Sequence, residues 1–501
     1  MRNFLKKADE NVPLRWILLA LLSLCFLLMA SPYTTPLNRY YGYDSSVFLS
    51  FGKAMTHGKR LYIDLYDNKG PMIFCLNALG YLLGGRTGVF ALQVVFMTFT
   101  FALLYRLGRF YGSPAAAWAT VAVCAFLYCG TVGEGDMTEE WSLSFSLLPL
   151  VLGLGFMRSG RPVKEHPWLC SLIYGLCLGV QLMLRVTNAA VIAGLLLAFA
   201  VLLIKEKSWG ALVKNILVVL LGAAAVVVPF VVHYRATGAY DAFIYASLLH
   251  NFRYAAGGAA EKTVLDWLYW AARVVMAPVG LVVCASLERR GKLHPGAALT
   301  VGCTGVISAL VTSLGYSYKH YFLILAPAAC AAFAMILGAL ERSEHKGKKR
   351  AGLLAALLAV TLLPYAPQAA VHAGKGILFN FAGYLDDEAA SMEEIDRHIT
   401  DHRDSVLGYN TRCNVYLYLD VDPCFRHCMT QDWMMRDSPF IREELDTLFR
   451  TDPPVWVVAN KNDRDVERML TEDYGYIRTA EVSYGLKPAL YRCAWEAENG
   501  G

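Results

Sequence analysis

Charge is scarce in this chain of 501 residues. Only 17% of the residues are charged against 56% hydrophobic, a balance that excludes an ordinary soluble domain of this length. The formal net charge of +5 is too small to suggest a nucleic-acid partner, and the basic residues lie in short loops, where they orient a membrane protein. No Gly-rich phosphate loop follows a strand. There is no internal repeat and no low-complexity tract. The start, MRNFLKKADENVPLRW and then an apolar run, has the outline of a signal peptide without a small-residue cleavage site, so it reads as an uncleaved first span.

Long apolar runs are what the chain has in quantity. Eleven spans are expected, roughly at 14–31, 87–107, 114–131, 140–157, 168–184, 187–204, 211–232, 264–287, 296–315, 320–340 and 351–370, each long enough to cross about 30 Å of hydrocarbon. A further run, Pro71 to Leu83, lies between Gly70-Pro71 and Gly84-Gly85. At about thirteen residues it suits an interfacial or re-entrant segment. If it does not span, the loops with Arg106 and Arg109, with Arg158, Arg161 and Lys164, with Lys205 and Lys207, with Arg289, Arg290 and Lys292, and with Lys346 through Arg350 all join the basic N-terminus on the cytoplasmic side. If it spans, all five flip outward. The positive-inside rule selects the first arrangement.

That topology predicts an all-α polytopic membrane protein, about 11 transmembrane helices plus juxtamembrane helices, with a small C-terminal extracytoplasmic α/β domain. The boundaries are a transmembrane domain at 1–380, with its outer loop at 32–86, and the extracytoplasmic domain at 381–501. In the latter, an acidic helix, SVLGYN as a strand, SPFIREELDTLF as a helix, PVWVVAN as a strand and DRDVERMLTED as a helix alternate. Nine of the thirteen cysteines sit in apolar spans as small hydrophobes. Cys413, Cys424, Cys428 and Cys493 fall in the exported domain, where disulfides, free thiols and a metal site of Cys424, His427 and Cys428 stay open. The spacing of the last matches no standard zinc pattern.

The chemistry has to come from the outer loops. Tyr40 to Met72, YYGYDSSVFLSFGKAMTHGKRLYIDLYDNKGPM, is charged and aromatic between apolar neighbours. Asp44, close to the end of the first span, reads as a general base for an acceptor hydroxyl or as a solvated loop acid. Asp136, Glu139 and Glu140 stand at the mouth of the fourth span, so two loops bring carboxylates to one face. Such acids can raise one another's pKa, hold a divalent cation or bind a sugar hydroxyl; alternatively Glu139 and Glu140 only start a helix. Lys69 precedes the short Pro71 segment and suits a phosphate there, or is an interfacial anchor. Arg273 lies inside a span and is a functional candidate on that ground. Arg185, in LMLRVTN, tells less, as a residue of a tight outer hairpin. Lys319 and His320 lie at an outer membrane boundary, facing the same cavity or anchoring the interface.

Tyr43-Asp44-Ser45-Ser46, the spacing through Gly58, Leu61 and Tyr62, and Asn68-Lys69-Gly70-Pro71 resemble the signature of the C-type integral-membrane glycosyltransferases that use polyprenyl-phosphate sugars. The protein O-mannosyltransferases and lipid A aminoarabinose transferases belong to that group. Thr138-Glu139 is similar to its second acid, and Lys319-His320-Tyr321 with Ala326-Pro327 to its late-span motif. The chain departs from the group in having Asp-Ser where many members have Asp-Glu, and Lys-Gly-Pro where two prolines are usual.

The resemblance implies a cell-envelope glycosyltransferase, multi-pass in the cell membrane with its N-terminus cytoplasmic. It would transfer a hexose with inversion from a polyprenyl-phosphate donor to a glycan, lipid or protein hydroxyl on the outer face. Asp44 and Glu139 would be catalytic, with Lys69, Asp136, Glu140, Arg273, Lys319 and His320 binding substrate. Whether a divalent cation takes part stays open. The alternative is a transporter or flippase of lipid-linked sugars, but such a protein more often has internal repeats and charges near the bilayer midplane, whereas here they gather at one face.

Overall fold

A computed structural model describes residues 7, 9–251, 261–383, 386–428, 430, 431, 435 and 439–494. Part of the connection between the spans expected at 211–232 and 264–287 therefore lies outside the described residues, as does the first residue of the SPFIREELDTLF helix. The chain is mostly helical, in the order α1 (Val12–Ala30), α2 (Asp44–Thr56), α3 (Pro71–Tyr111), α4 (Pro114–Cys129), α5 (Thr138–Arg158), α6 (Trp168–Leu184) and α7 (Ala190–Lys205). Next come α8 (Trp209–Ala236), α9 (Val264–Val274), α10 (Met276–Arg289), α11 (Ala297–Thr312), α12 (Ala326–Glu341), α13 (Gly347–Leu362) and α14 (Ala366–Phe381).

Eight helical stretches among the described residues are long and apolar enough to cross a membrane, and α4, α6 and α11 are shorter apolar helices. Together they fall on the eleven expected spans. The protein is a multi-pass membrane protein. Its surface fits that reading: Leu217, Leu220 and Leu221 on α8 are all more than half exposed, as lipid-facing side chains are.

The helix α3 is continuous only in outline. Gly84 and Gly85 have non-helical dihedrals inside it, Gly85 at φ 62° and ψ −142°, a combination open mainly to glycine. The kink divides the Pro71–Leu83 segment from the long helix after it. Gly70 donates its N–H to the Leu184 carbonyl at 3.1 Å, and Arg86 bonds the carbonyl and side chain of Asn38 at 2.9 and 3.0 Å. The two ends of the segment are therefore held by the loops around residues 38 and 184.

Several of the basic loops are tied together at the other end of the bundle. Arg109 pairs with Asp9 at 2.9 Å, Ser113 bonds Glu341 and Tyr111 bonds His294. The Val163 N–H reaches Glu206, and Thr300, near the start of α11, bonds Met157 at the end of α5.

After α14 the chain changes character. Here α15 (Asp386–Asp396), α16 (Asn414–Tyr418), α17 (Pro439–Thr451) and α18 (Arg464–Arg468) accompany four strands, β1 (Val406–Gly408), β2 (Trp456–Asn460), β3 (Tyr476–Glu481) and β4 (Pro488–Cys493). The sheet order is β1-β2-β4-β3, with β1 parallel to β2 and the other pairs antiparallel. The buried runs Val406–Gly408 and Trp456–Ala459 explain why two strands were visible in the sequence. By contrast β3 alternates weakly and is mostly exposed.

This small domain rests on the polar first loop. Val47, Phe48 and Phe51 of α2 share one apolar core with Met392, Tyr416 and Trp456. Lys53 pairs with Asp420 at 2.5 Å, and the Tyr66 N–H reaches the Arg426 carbonyl at 2.9 Å. All thirteen cysteines are free thiols; Cys413 and Cys428 face one another with sulfurs 3.0 Å apart.

Candidate active site

The segment that sequence reading treats as loop becomes helical at Asp44. Gly, Asp and Ser favour turns, which is why the start of α2 was not visible, yet Asp44 occupies its first turn. The acceptor for the exposed amides is Glu134, whose Oε2 takes the Tyr43 N–H at 2.9 Å and which also interacts with the Ser45 backbone. A carboxylate is favourable at a helix N-terminus. Burial first, and then the neighbouring Asp44 carboxylate, push the Glu134 carboxyl up to about 7.

Lys69 closes the loop. Its N–H meets Asp67 Oδ1 at 2.8 Å, its carbonyl accepts the Tyr62 hydroxyl at 2.7 Å, and its Nζ donates to Asn68 Oδ1 at 3.0 Å. Burial works against the ammonium, but the Asp67 and Asp44 carboxylates more than offset it and hold its pKa above the ordinary lysine value. The departure from two prolines has a physical cause. A Cβ on Gly70 would stand 2.0 Å from the Met183 carbonyl oxygen, and a proline there could not donate to Leu184.

These groups line one cavity of about 620 Å³. Asp44, Asp67, Lys69 and Glu134 contribute from the two loops, Lys319, His320 and Tyr321 from the turn before α12, and His372 and Lys375 from α14. Gln431 and Ile441 of the C-terminal domain close one side. Three ammonium groups and three carboxyls thus face one space.

Of the sequence-predicted residues, Asp44, Lys69, Lys319 and His320 are brought together there. Glu139 is not in the cavity wall: it is buried, paired with Arg185 at 2.7 Å and bonded by the Thr138 hydroxyl at 3.0 Å. It reaches the site through Arg185, whose guanidinium lies 3.9 Å from the ring centre of Tyr321. Asp136 and Glu140 lie deeper. Asp136 accepts from Trp141 Nε1 at 2.7 Å and Asn77 Nδ2 at 3.2 Å, and burial pushes its carboxyl well up. Glu140 accepts from the Tyr128 hydroxyl and Gln93. Arg273 is buried among Tyr269, Phe322 and Tyr365, away from the cavity, because its span turns that face into the bundle.

Sequence reasoning passed over Glu134, His372 and Lys375. The first sits between two glycines in the same turn as Asp136, and only its approach to Tyr43 sets it apart. The other two stand in an apolar helix far along the chain; a lysine near the end of the last span was the available signal. Among the described residues no group of three or more His, Cys, Asp or Glu side chains is placed to hold a metal ion.

The family profile described as putative competence-induced protein Ccs4, N-terminal domain, matches residues 7–352. The chain belongs to that family. The match covers the helices up to the start of α13 and none of the α/β domain. No curated protein sequence matches the chain. Among solved structures, the crystal structure of ArnT from Cupriavidus metallidurans bound to undecaprenyl phosphate superposes with a TM-score of 0.57 at 14% identity, over 95% of this chain and 97% of that one. The archaeal oligosaccharyltransferase AglB from Archaeoglobus fulgidus, in complex with an inhibitory peptide and a dolichol-phosphate, gives 0.48 at 11% identity, over 89% and 69%. The chain shares its overall fold with the ArnT structure over nearly its whole length, as the resemblance to the C-type membrane proteins led one to expect.

Proposed function

We propose that the protein transfers a sugar, with inversion, from a polyprenyl-phosphate donor to an acceptor hydroxyl at the outer face of the cell membrane. What carries this reading is that Asp44 and Lys69 line one cavity at a membrane boundary, on a fold shared with a protein described as bound to undecaprenyl phosphate. The phosphate would lie among Lys69, Lys319 and Lys375, and its lipid tail would enter sideways from the bilayer. Asp44 takes the proton of the acceptor hydroxyl as that oxygen bonds to the anomeric carbon. The bond from that carbon to the phosphate oxygen breaks, and the ammonium groups stabilise the charge gathering on the departing polyprenyl phosphate. Glu134 positions Asp44 by capping its helix, and Glu139 positions Tyr321 through Arg185.

The outer-face placement rests on the basic loops at the opposite end of the bundle, which the positive-inside rule assigns to the cytoplasm. The C-terminal domain, from about residue 381, then lies outside the membrane over the cavity. The test is incubation of purified protein with a panel of radiolabelled polyprenyl-phosphate sugars, with and without chelator. Turnover of one donor supports transfer, and comparison with and without chelator reads metal dependence directly. Net movement of intact donor across vesicles without turnover would overturn it in favour of a flippase.

A further inference from the structure

Beside the main cavity a second one, of about 250 Å³, opens in the C-terminal domain. It lies off the carboxyl ends of the parallel strands β1 and β2, where open sheets commonly hold ligands. Asn410, Thr411, Arg412 and Asn414 follow β1, and Asn460 ends β2. Tyr43 and Gln431 line both cavities, so the two spaces adjoin at the residue before Asp44. Arg412 stacks on the Tyr43 ring at 3.2 Å and joins the domain to the catalytic loop at that point.

Two polar groups in this small cavity lack protein partners. Asn414 is 1% exposed and its Nδ2 meets no acceptor, and the buried Thr411 hydroxyl is likewise unpartnered. Buried polar groups are almost always bonded, so orphaned ones at a cavity wall point to a ligand that completes them. An amide donor beside a hydroxyl matches the alternating donors and acceptors of neighbouring sugar hydroxyls. A lipid tail would leave both groups unmet. A peptide extending the sheet would pair along an edge strand, β1 or β3, whereas this cavity lies off the strand ends.

We propose that this second cavity binds the acceptor and that the acceptor is a saccharide, one hydroxyl of which reaches past Tyr43 to Asp44. The proposal rests on the transferase reading and adds the acceptor class to it.

The experiment uses the full-length protein in lipid nanodiscs, applied to a saccharide array and a peptide array. Wild type, Asn414→Leu and Thr411→Val are compared, with binding of undecaprenyl phosphate as the control for an intact fold. The expected result is saccharide binding by wild type that weakens about tenfold or more in Asn414→Leu and also falls in Thr411→Val, with undecaprenyl phosphate binding unchanged. Absence of saccharide binding, binding indifferent to both substitutions, or capture of peptides instead would each overturn the proposal. Saccharide binding that depends on Asn414 in a protein that turns over no polyprenyl-phosphate sugar would leave this site standing and remove the transferase reading.

Discussion

The Glu134 carboxylate accepts the Tyr43 N–H at 2.9 Å, so an acid from the second loop holds the end of the helix on which Asp44 stands. Removing it with Glu134→Ala should cost about 0.5–2 kcal/mol, as lost caps do, and lower turnover by displacing Asp44. The pH dependence has a definite sign. The folded carboxyl sits at about 7 against an ordinary 4.5, so the folded state holds the proton more tightly. This group therefore favours the fold while protonated, and its contribution declines as pH rises from about 4.5 through 7. Glu134→Gln lacks that slope. Thermal unfolding at pH 5 and pH 8 should show wild type losing ground to Glu134→Gln at the higher pH; parallel profiles would remove Glu134 from the titration.

Gly70→Pro restores the pattern common in the resembled group and should nevertheless damage this protein. It deletes the bond to Leu184 and drives ring atoms toward the Met183 carbonyl. Gly70→Ala meets the same oxygen, and overpacking of this kind costs about 1–3 kcal/mol. Purified yield and unfolding temperature are the readouts, and a proline variant as stable as wild type would show that the backbone yields there.

Replacing Lys69 with Ala should raise the apparent KM for donor and lower kcat. A charge-assisted contact is worth about 1.5–3 kcal/mol, which is about one to two orders of magnitude in kcat/KM. Steady-state kinetics with the preferred donor measure it. Wild-type values would leave Lys69 as an interfacial anchor, with the phosphate resting on Lys319 and Lys375.

Reporter fusions after Gly84, Gly112 and Gly383 should report outside, inside and outside in turn. The contacts of Gly70 with Leu184 and of Arg86 with Asn38 keep both ends of the short segment on one side. An outside signal at Gly112 would invert the bundle and remove the outer-face site.

What the sequence disclosed and what it concealed divide along physical lines. Span lengths, the thirteen-residue run between Gly70-Pro71 and Gly84-Gly85, and the placing of Asp44 and Lys69 in one polar loop were legible because each is a local property of the chain. Glu134 was not, since its role depends on approach to Tyr43 across 91 residues. Nor could spacing tell that Glu139 is spent on Arg185, or that Arg273 turns into an aromatic box. Carboxylates in one turn look alike until packing decides which face the cavity. Acids at Asp136 and Glu140 point inward because α5 begins there and buries its first turn.

The central claim is that Asp44 takes the acceptor proton. Asp44→Asn keeps the size of the side chain but cannot accept a proton near neutral pH. Transfer should fall about 10²–10⁴-fold while binding of the polyprenyl-phosphate donor persists. Asp64→Asn serves as the comparison, because Asp64 is occupied by Arg60 at 3.0 Å, away from the cavity, and should remain active. Normal turnover by the Asp44 variant, measured with the same donor and acceptor, would contradict the assignment of the base.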